Sequence, residues 1–195
     1  MKTIAIAALA GLATAAAAQD FSLTLVPSVG TVDTSGGAAT FTVTAYGDSS
    51  FGTHILGGAF GIAASSGGDT VQGMSWAAAA WSQFNTDGGD AGNGNYNTVI
   101  FGQLVIPGIF PPAAGSELGS AIGSFTVTVD GAGVLVLDMT AGSPFSLEAV
   151  DSVSGATMND GGTVSLGSAT INVIPAPSAM ALLGLGGIVA GRRRR

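Results

Sequence analysis

The sequence contains no cysteine, so neither a disulfide framework nor a thiolate metal site can form in its 195 residues. Cationic side chains are almost as scarce: Lys2 near the start, and Arg192, Arg193, Arg194 and Arg195 at the end, are the only five. All 12 carboxylates fall between Asp20 and Asp160, a stretch with no lysine or arginine. No interior carboxylate can therefore pair with an interior lysine or arginine, and the one remaining source of positive charge is His54. Such a field repels nucleic acid phosphates and anionic lipid headgroups, which excludes nucleic acid as a partner.

The same scarcity removes most enzyme chemistry. With one histidine, no cysteine and no interior lysine, a nucleophile could be activated only beside His54, whose neighbours Thr53, Ile55 and Leu56 form no nucleophile elbow. Asp33-Thr34-Ser35-Gly36 lacks the glycine directly after Asp-Thr that an aspartic protease motif carries, and it has no second copy; it reads as a turn. Glu117 and Glu148 are the only glutamates, and neither has an evident carboxyl partner across a sugar. The chain reads as non-enzymatic.

Strongly apolar runs occur only at the two ends, although alanine and 32 glycines lift the hydrophobic fraction to 47%. Met1, Lys2 and Thr3 form a basic start, Ile4 to Ala17 an apolar run too short to span a bilayer comfortably, and Ala16-Ala17-Ala18 an A-x-A site before Gln19. Residues 1–18 are thus expected to be a secretory signal peptide, a substrate of signal peptidase. At the other end, Pro175-Ala176-Pro177 precedes an apolar stretch from Ala179 to Ala190 and then the four arginines. The prolines stop helix continuation upstream, the apolar stretch approaches bilayer thickness with its flanks included, and the arginines hold the end on the cytoplasmic side.

That tail, residues 175–195, resembles the PEP-CTERM sorting signal, in a variant with Ala176 where the namesake motif has glutamate. The resemblance implies recognition by an exosortase-type membrane protease, membrane contact through a short C-terminal transmembrane helix, cleavage near Pro175, Ala176 and Pro177, and delivery to the outer surface or extracellular matrix. A tail that stays uncut as a simple anchor is the alternative.

Between the ends, residues 19–174 alternate apolar and polar side chains as half-buried strands do. Phe21, Leu23 and Leu25 alternate with Ser22 and Thr24; Phe41, Val43 and Ala45 with Thr40, Thr42 and Thr44; Phe125, Val127 and Val129 with Thr126 and Thr128. Less regular strands are expected over Gly58 to Ala63, Thr98 to Ile106, Val134 to Met139, Phe145 to Val150 and Thr163 to Val173. Glycine clusters such as Ser66-Gly67-Gly68-Asp69 and Asn159-Asp160-Gly161-Gly162 supply the turns. Trp76 to Phe84 is expected to be a short helix with Ser75 as N-cap, or an irregular excursion. The fold class is all-β: an antiparallel β-sandwich, jelly-roll or cohesin-like, with a long central insertion. A first strand after Asp20, a threonine-rich second strand and the approach Gly119 to Ser124 into Phe125 resemble cohesin-type sandwiches. That resemblance implies scaffold or glycan binding.

Within the insertion, Asn85-Thr86-Asp87-Gly88-Gly89-Asp90-Ala91-Gly92-Asn93-Gly94-Asn95 concentrates oxygen ligands on a flexible backbone with no competing cation. Asn85, Asp87 and Asp90 are the candidate calcium ligands, although the spacing is not that of an EF-hand. Trp76 and Trp81 are five residues apart and cannot share one flat face within a regular element. The expected role is non-catalytic contact in adhesion or in envelope and biofilm structure; the alternative is a calcium-assisted carbohydrate-binding module that uses Trp76 to Phe101 on extracellular polysaccharide. Because the interior charge is of one sign, added salt is expected to raise the melting temperature. A melting temperature that is flat from very low to molar salt overturns this expectation.

Overall fold

A computed structural model describes residues 20–175. The expected signal peptide, and the expected sorting tail from Ala176 and Pro177 through Arg192, Arg193, Arg194 and Arg195, lie outside the described residues. Among the described residues no helix is long and apolar enough to cross a membrane.

The chain forms β1 (Phe21–Pro27), β2 (Thr31–Asp33), β3 (Ala39–Ser49), β4 (His54–Ser66), β5 (Val71–Ala78), β6 (Asp90–Gly92) and β7 (Asn95–Gly102). It continues with β8 (Ala121–Val129), β9 (Gly133–Ala141), β10 (Glu148–Val150), β11 (Thr157–Asn159), β12 (Val164–Leu166) and β13 (Ser168–Ile174). A smaller sheet runs β12-β1-β3-β8-β5; the larger holds β11, β10, β4, β9, β13 and β2, with β7 paired to β4 and β6 to β7. Phe60 pairs with both Val99 of β7 and Ala141 of β9, and Gly57 with both Gly102 of β7 and Glu148 of β10. It follows that β9 and β10 succeed one another along one edge of β4 while β7 occupies the other.

Alternation places the core. Leu23, Val43, Phe125 and Val127 of the smaller sheet face Phe60, Ile62, Leu135, Leu137 and Ile171 of the larger, all within one buried cluster. Aromatic rings fill the end near β5 and β7. Phe60 meets Trp76 at 5.6 Å and Phe101 at 5.9 Å, and Phe125 meets Trp76 at 4.6 Å and Tyr96 at 5.1 Å. Each such pair adds about 1 kcal/mol beyond its area burial.

The sandwich is not purely antiparallel: β1 runs parallel to β12, and β2 parallel to β13. Both departures have one cause, since segments 21–33 and 164–174 cross between the sheets side by side. The expected strand from Thr163 to Val173 breaks at Gly167, where β12 leaves the smaller sheet and β13 joins the larger. A Cβ at Gly167 would sit 3.0 Å from Thr24 Cα, and its N–H donates to Leu23 O at 2.8 Å, so the crossing needs a residue without a side chain.

Other expected elements shift for physical reasons. Trp76 lies in β5, paired with Phe125, rather than in a helix capped by Ser75, and the strand continues to Ala78. The expected strand Thr98 to Ile106 becomes β7, and Phe145 to Val150 is reduced to β10. The latter shortening traces to Asp160, which is buried. Its Oδ2 accepts from Ser146 N at 2.8 Å and Leu147 N at 3.2 Å, and its Oδ1 from Gly162 N at 3.0 Å, drawing that segment off the ladder. Removing the carboxylate strands three N–H groups, so Asp160→Ala is expected to cost on the order of 3 kcal/mol, read as a lower urea midpoint. A loss below about 0.5 kcal/mol would show that water replaces the clamp.

Candidate functional site

The three candidate calcium ligands sit where the smaller sheet ends. As an edge strand, β5 presents outward N–H groups that need partners. Asp90 Oδ2 accepts from Met74 N at 2.9 Å, and the Tyr96 hydroxyl accepts from Trp76 N at 3.1 Å while donating to Asp87 Oδ1 at 2.7 Å. The second oxygen of Asp90 holds Gly92 N at 2.8 Å, and Asp87 Oδ1 also holds Gly89 N at 2.9 Å. Asn85 is engaged with Ser82, whose hydroxyl donates to its Oδ1 at 2.6 Å. The structure thus brings Asp87 and Asp90 together as a cap on β5. Among the described residues no three histidine, aspartate or glutamate side chains gather into a group that could hold a metal ion. Burial, and then the bond to Asp87, push the Tyr96 phenol up to about 12.

Four aromatic residues of the insertion serve the core, whereas Phe84 is exposed. Trp81 is buried, with its indole N–H donating to Ala121 O at 2.8 Å; Tyr96 and Phe101 are buried too. Trp76 is half-buried against Phe60 and Phe125, and its Nε1 has no protein partner. His54, half-buried, has its Nδ1 2.9 Å from Thr53 Oγ1, which donates to Ser152 Oγ at 3.0 Å. Asp33 Oδ1 accepts from Ser35 N at 2.8 Å, closing the expected turn, and that bond holds its carboxyl below the usual range.

A feature the sequence pattern does not disclose lies on the outer side of the larger sheet. A cleft of about 360 Å³ is floored by β4 from Leu56 to Ala59 and walled by Ile100, Leu104 and Val105 on one side and Pro144, Phe145 and Glu148 on the other. It exists because β4 carries glycine there: a Cβ at Gly58 would collide with Ser146 O, so the second wall can approach only over glycine. Ile100 and Leu104 are each 45% exposed although both are large and apolar. Past Val105 a tight turn, closed by Ile106 N to Phe110 O at 2.8 Å, leaves Ile109 and Phe110 in solvent as well. The available signal was the apolar run Leu104 to Pro112 with three prolines and a glycine, which cannot be a buried strand and so must present apolar side chains from a loop.

No protein-family model and no curated protein sequence matches the chain. Among solved structures it is similar to a cohesin module from a family 33 glycoside hydrolase of Clostridium perfringens, with 10% identity, TM-score 0.50, and coverage of 80% of this chain and 98% of that one. Two type I cohesins are also similar in outline. One is from a cohesin–dockerin complex of Clostridium thermocellum, with 10% identity, TM-score 0.43 and coverage of 78% and 99%. The other is the seventh ScaB type I cohesin from Pseudobacteroides cellulosolvens, with 15% identity, TM-score 0.44 and coverage of 82% and 96%. What is shared is the fold: an all-β sandwich that resembles cohesin modules.

The cap on β5 has a pH signature. The Tyr96 phenol ionises near 10 in an unfolded chain but only at about 12 in the fold, so its stabilising contribution is complete below about pH 10 and is lost as pH rises toward 12. The urea midpoint is expected to fall across that interval, and Tyr96→Phe, already less stable, is expected to fall less. An equal fall in both proteins would remove Tyr96 from the account.

Proposed function

We propose that the chain is an exported, non-catalytic surface module whose sandwich docks a protein partner through the apolar cleft, in adhesion or in the structure of the envelope or matrix. The observation that carries the reading is the cleft itself. Large apolar side chains line a concave surface and stay in solvent on a domain with ample polar residues, which marks a contact site. Supporting it, the one histidine bonds a threonine hydroxyl rather than a carboxylate, and the fold is shared with a cohesin module. Export rests on residues 1–18, and sorting by an exosortase-type system rests on Pro175, Ala176, Pro177 and the terminal arginines.

A second reading keeps calcium at the insertion, because Asp87 Oδ2 makes no hydrogen bond and is free to take a cation. One experiment weighs both. The mature protein is co-sedimented with washed envelope from cells lacking it, in calcium and in chelator. The paired change Ile100→Asp and Leu104→Asp is expected to weaken retention about ten-fold or more with an unchanged melting temperature. Equal retention of the variant overturns the cleft, and retention that needs calcium and is lost in Asp87→Asn favours the second reading. Intact mass of the same mature material is expected to start at Gln19 and to lack the arginine run; a species still ending at Arg195 contradicts the sorting step.

A further inference from the structure

We propose that the outer face of the smaller sheet carries a binding groove for a neutral polysaccharide, centred on Tyr46 and edged by Ser22, Thr24 and Asp48. The site lies on the opposite sheet from the cleft and stands apart from the calcium loop.

Its origin is the strand period. Since Phe21, Leu23, Leu25, Val43 and Ala45 point into the core, Ser22, Thr24, Val26, Thr44, Tyr46 and Asp48 must point out. The pairing of β1 with β3 sets Thr24 opposite Tyr46 and Ser22 opposite Asp48, at cross-strand Cβ separations of about 5 Å. These four line a groove of about 350 Å³ together with Val26 and Gly119. Where β3 passes Tyr46 its register with β8 shifts, and Gly119 N donates to Gly47 O at 2.8 Å in place of a ladder strand. The space above Gly119 is open, so the groove is unblocked on that side.

The chemistry of the lining selects the ligand. The hydroxyls of Ser22, Thr24 and Tyr46 make no hydrogen bond within the protein, and Asp48 spends one oxygen on the adjacent Ser49 N at 2.9 Å, leaving Oδ2 free. Tyr46 is half-buried, and its aromatic ring, with only two side-chain torsions, offers apolar surface at low entropic cost. An aromatic ring beside one carboxylate and several hydroxyls matches a sugar, which has apolar C–H patches bordered by hydroxyl groups that both donate and accept. The same face continues as paired hydroxyls: Thr44 opposite Ser124, Thr42 opposite Thr126, and Thr40 opposite Thr128, with 3.3 Å between the last two oxygens. A run of this kind suits an extended chain of sugars better than a single one.

Charge narrows the choice. Asp48 is the only ionised group lining the groove, and residues 20–175 contain no lysine or arginine, so a sulfated, phosphorylated or uronate-rich polymer would be repelled. A second copy of the domain would bring the same carboxylate against this one.

Affinity electrophoresis of the full chain tests the site, because a net charge of -7 drives the protein through native gels. Gels contain hydroxyethylcellulose, xylan, mannan, galactomannan or, as the anionic comparison, dextran sulfate. At least one neutral polymer is expected to retard the protein and dextran sulfate is not. Tyr46→Ala is expected to weaken that retardation about ten-fold and Asp48→Asn several-fold, while Tyr46→Phe stays near the parent, since the ring supplies most of the contact. All variants are checked for an unchanged melting temperature, and Leu104→Asp, in the cleft beside the opposite sheet, is expected to bind polymer as the parent does. Retardation by none of the neutral polymers, retardation that survives Tyr46→Ala, or equal retardation by dextran sulfate overturns the proposal.

Discussion

Backbone N–H groups hold seven of the ten aspartates of this domain, residues 20–175 having no lysine or arginine to do so. Asp160 takes three of them from inside the fold, and Asp90 takes two, one from each side of the gap between β5 and β6. Asp33 and Asp151 each close a turn on their own downstream amides, which lowers both carboxyls. These four aspartates are therefore structural acceptors for chain reversals and strand edges. In most domains that accommodation comes from long flexible cations. Here it comes from glycine-rich backbone, which can turn its amides toward a carboxylate at little steric cost.

The arrangement also explains how two sheets of unequal size close on one core. The β6–β7 hairpin belongs to the larger sheet, yet Asp90 and Tyr96 serve β5 of the smaller one. Tyr96 does so with its hydroxyl while its ring packs on Phe125, so the polar seam and the aromatic cluster share a residue. At the far side the sheets are joined covalently, where the C-terminal segment crosses at Gly167 beside β1. An edge that would otherwise recruit another strand is covered at one side by side chains from the opposite sheet.

Legibility in the sequence followed exposure. β1, β3 and β8 face solvent on one side, so Phe21-Ser22-Leu23 or Phe125-Thr126-Val127 announce themselves by period. β4 does not: Gly57 to Ile62 are buried without alternation, because Gly57, Gly58 and Gly61 carry no side chain and neighbouring segments close over them, Ser146 O over Gly58 and Thr140 over Gly61. β5 reads as a helix start because Ala77 to Ala80 favour one, and only pairing with β8 decides otherwise. The aspartates of the insertion were conspicuous as oxygen donors, but their bonds to Met74 and Tyr96 depend on a contact between sheets that spacing cannot express. Tyr46 was hidden for the opposite reason. It stands in a well-marked strand, and its neighbours Thr24 and Asp48 become a lining only once the register of β1 against β3 is known.

The two outer faces differ in kind, and the difference follows from how each is built. On the larger sheet, glycine in β4 admits a loop pinned from behind by Asp160, and the result is an apolar cleft with walls from separate segments. On the smaller sheet the groove is lined mainly by side chains that the pairing of β1 with β3 sets side by side, around the Tyr46 ring, and it continues as a ladder of hydroxyls between β3 and β8. A cleft with a pinned wall suits a shaped partner, whereas an open hydroxyl face suits a repeating one. Neither carries a cation, so a like-charged second copy is a poor occupant of either, and the surface favours contact with neutral or basic partners.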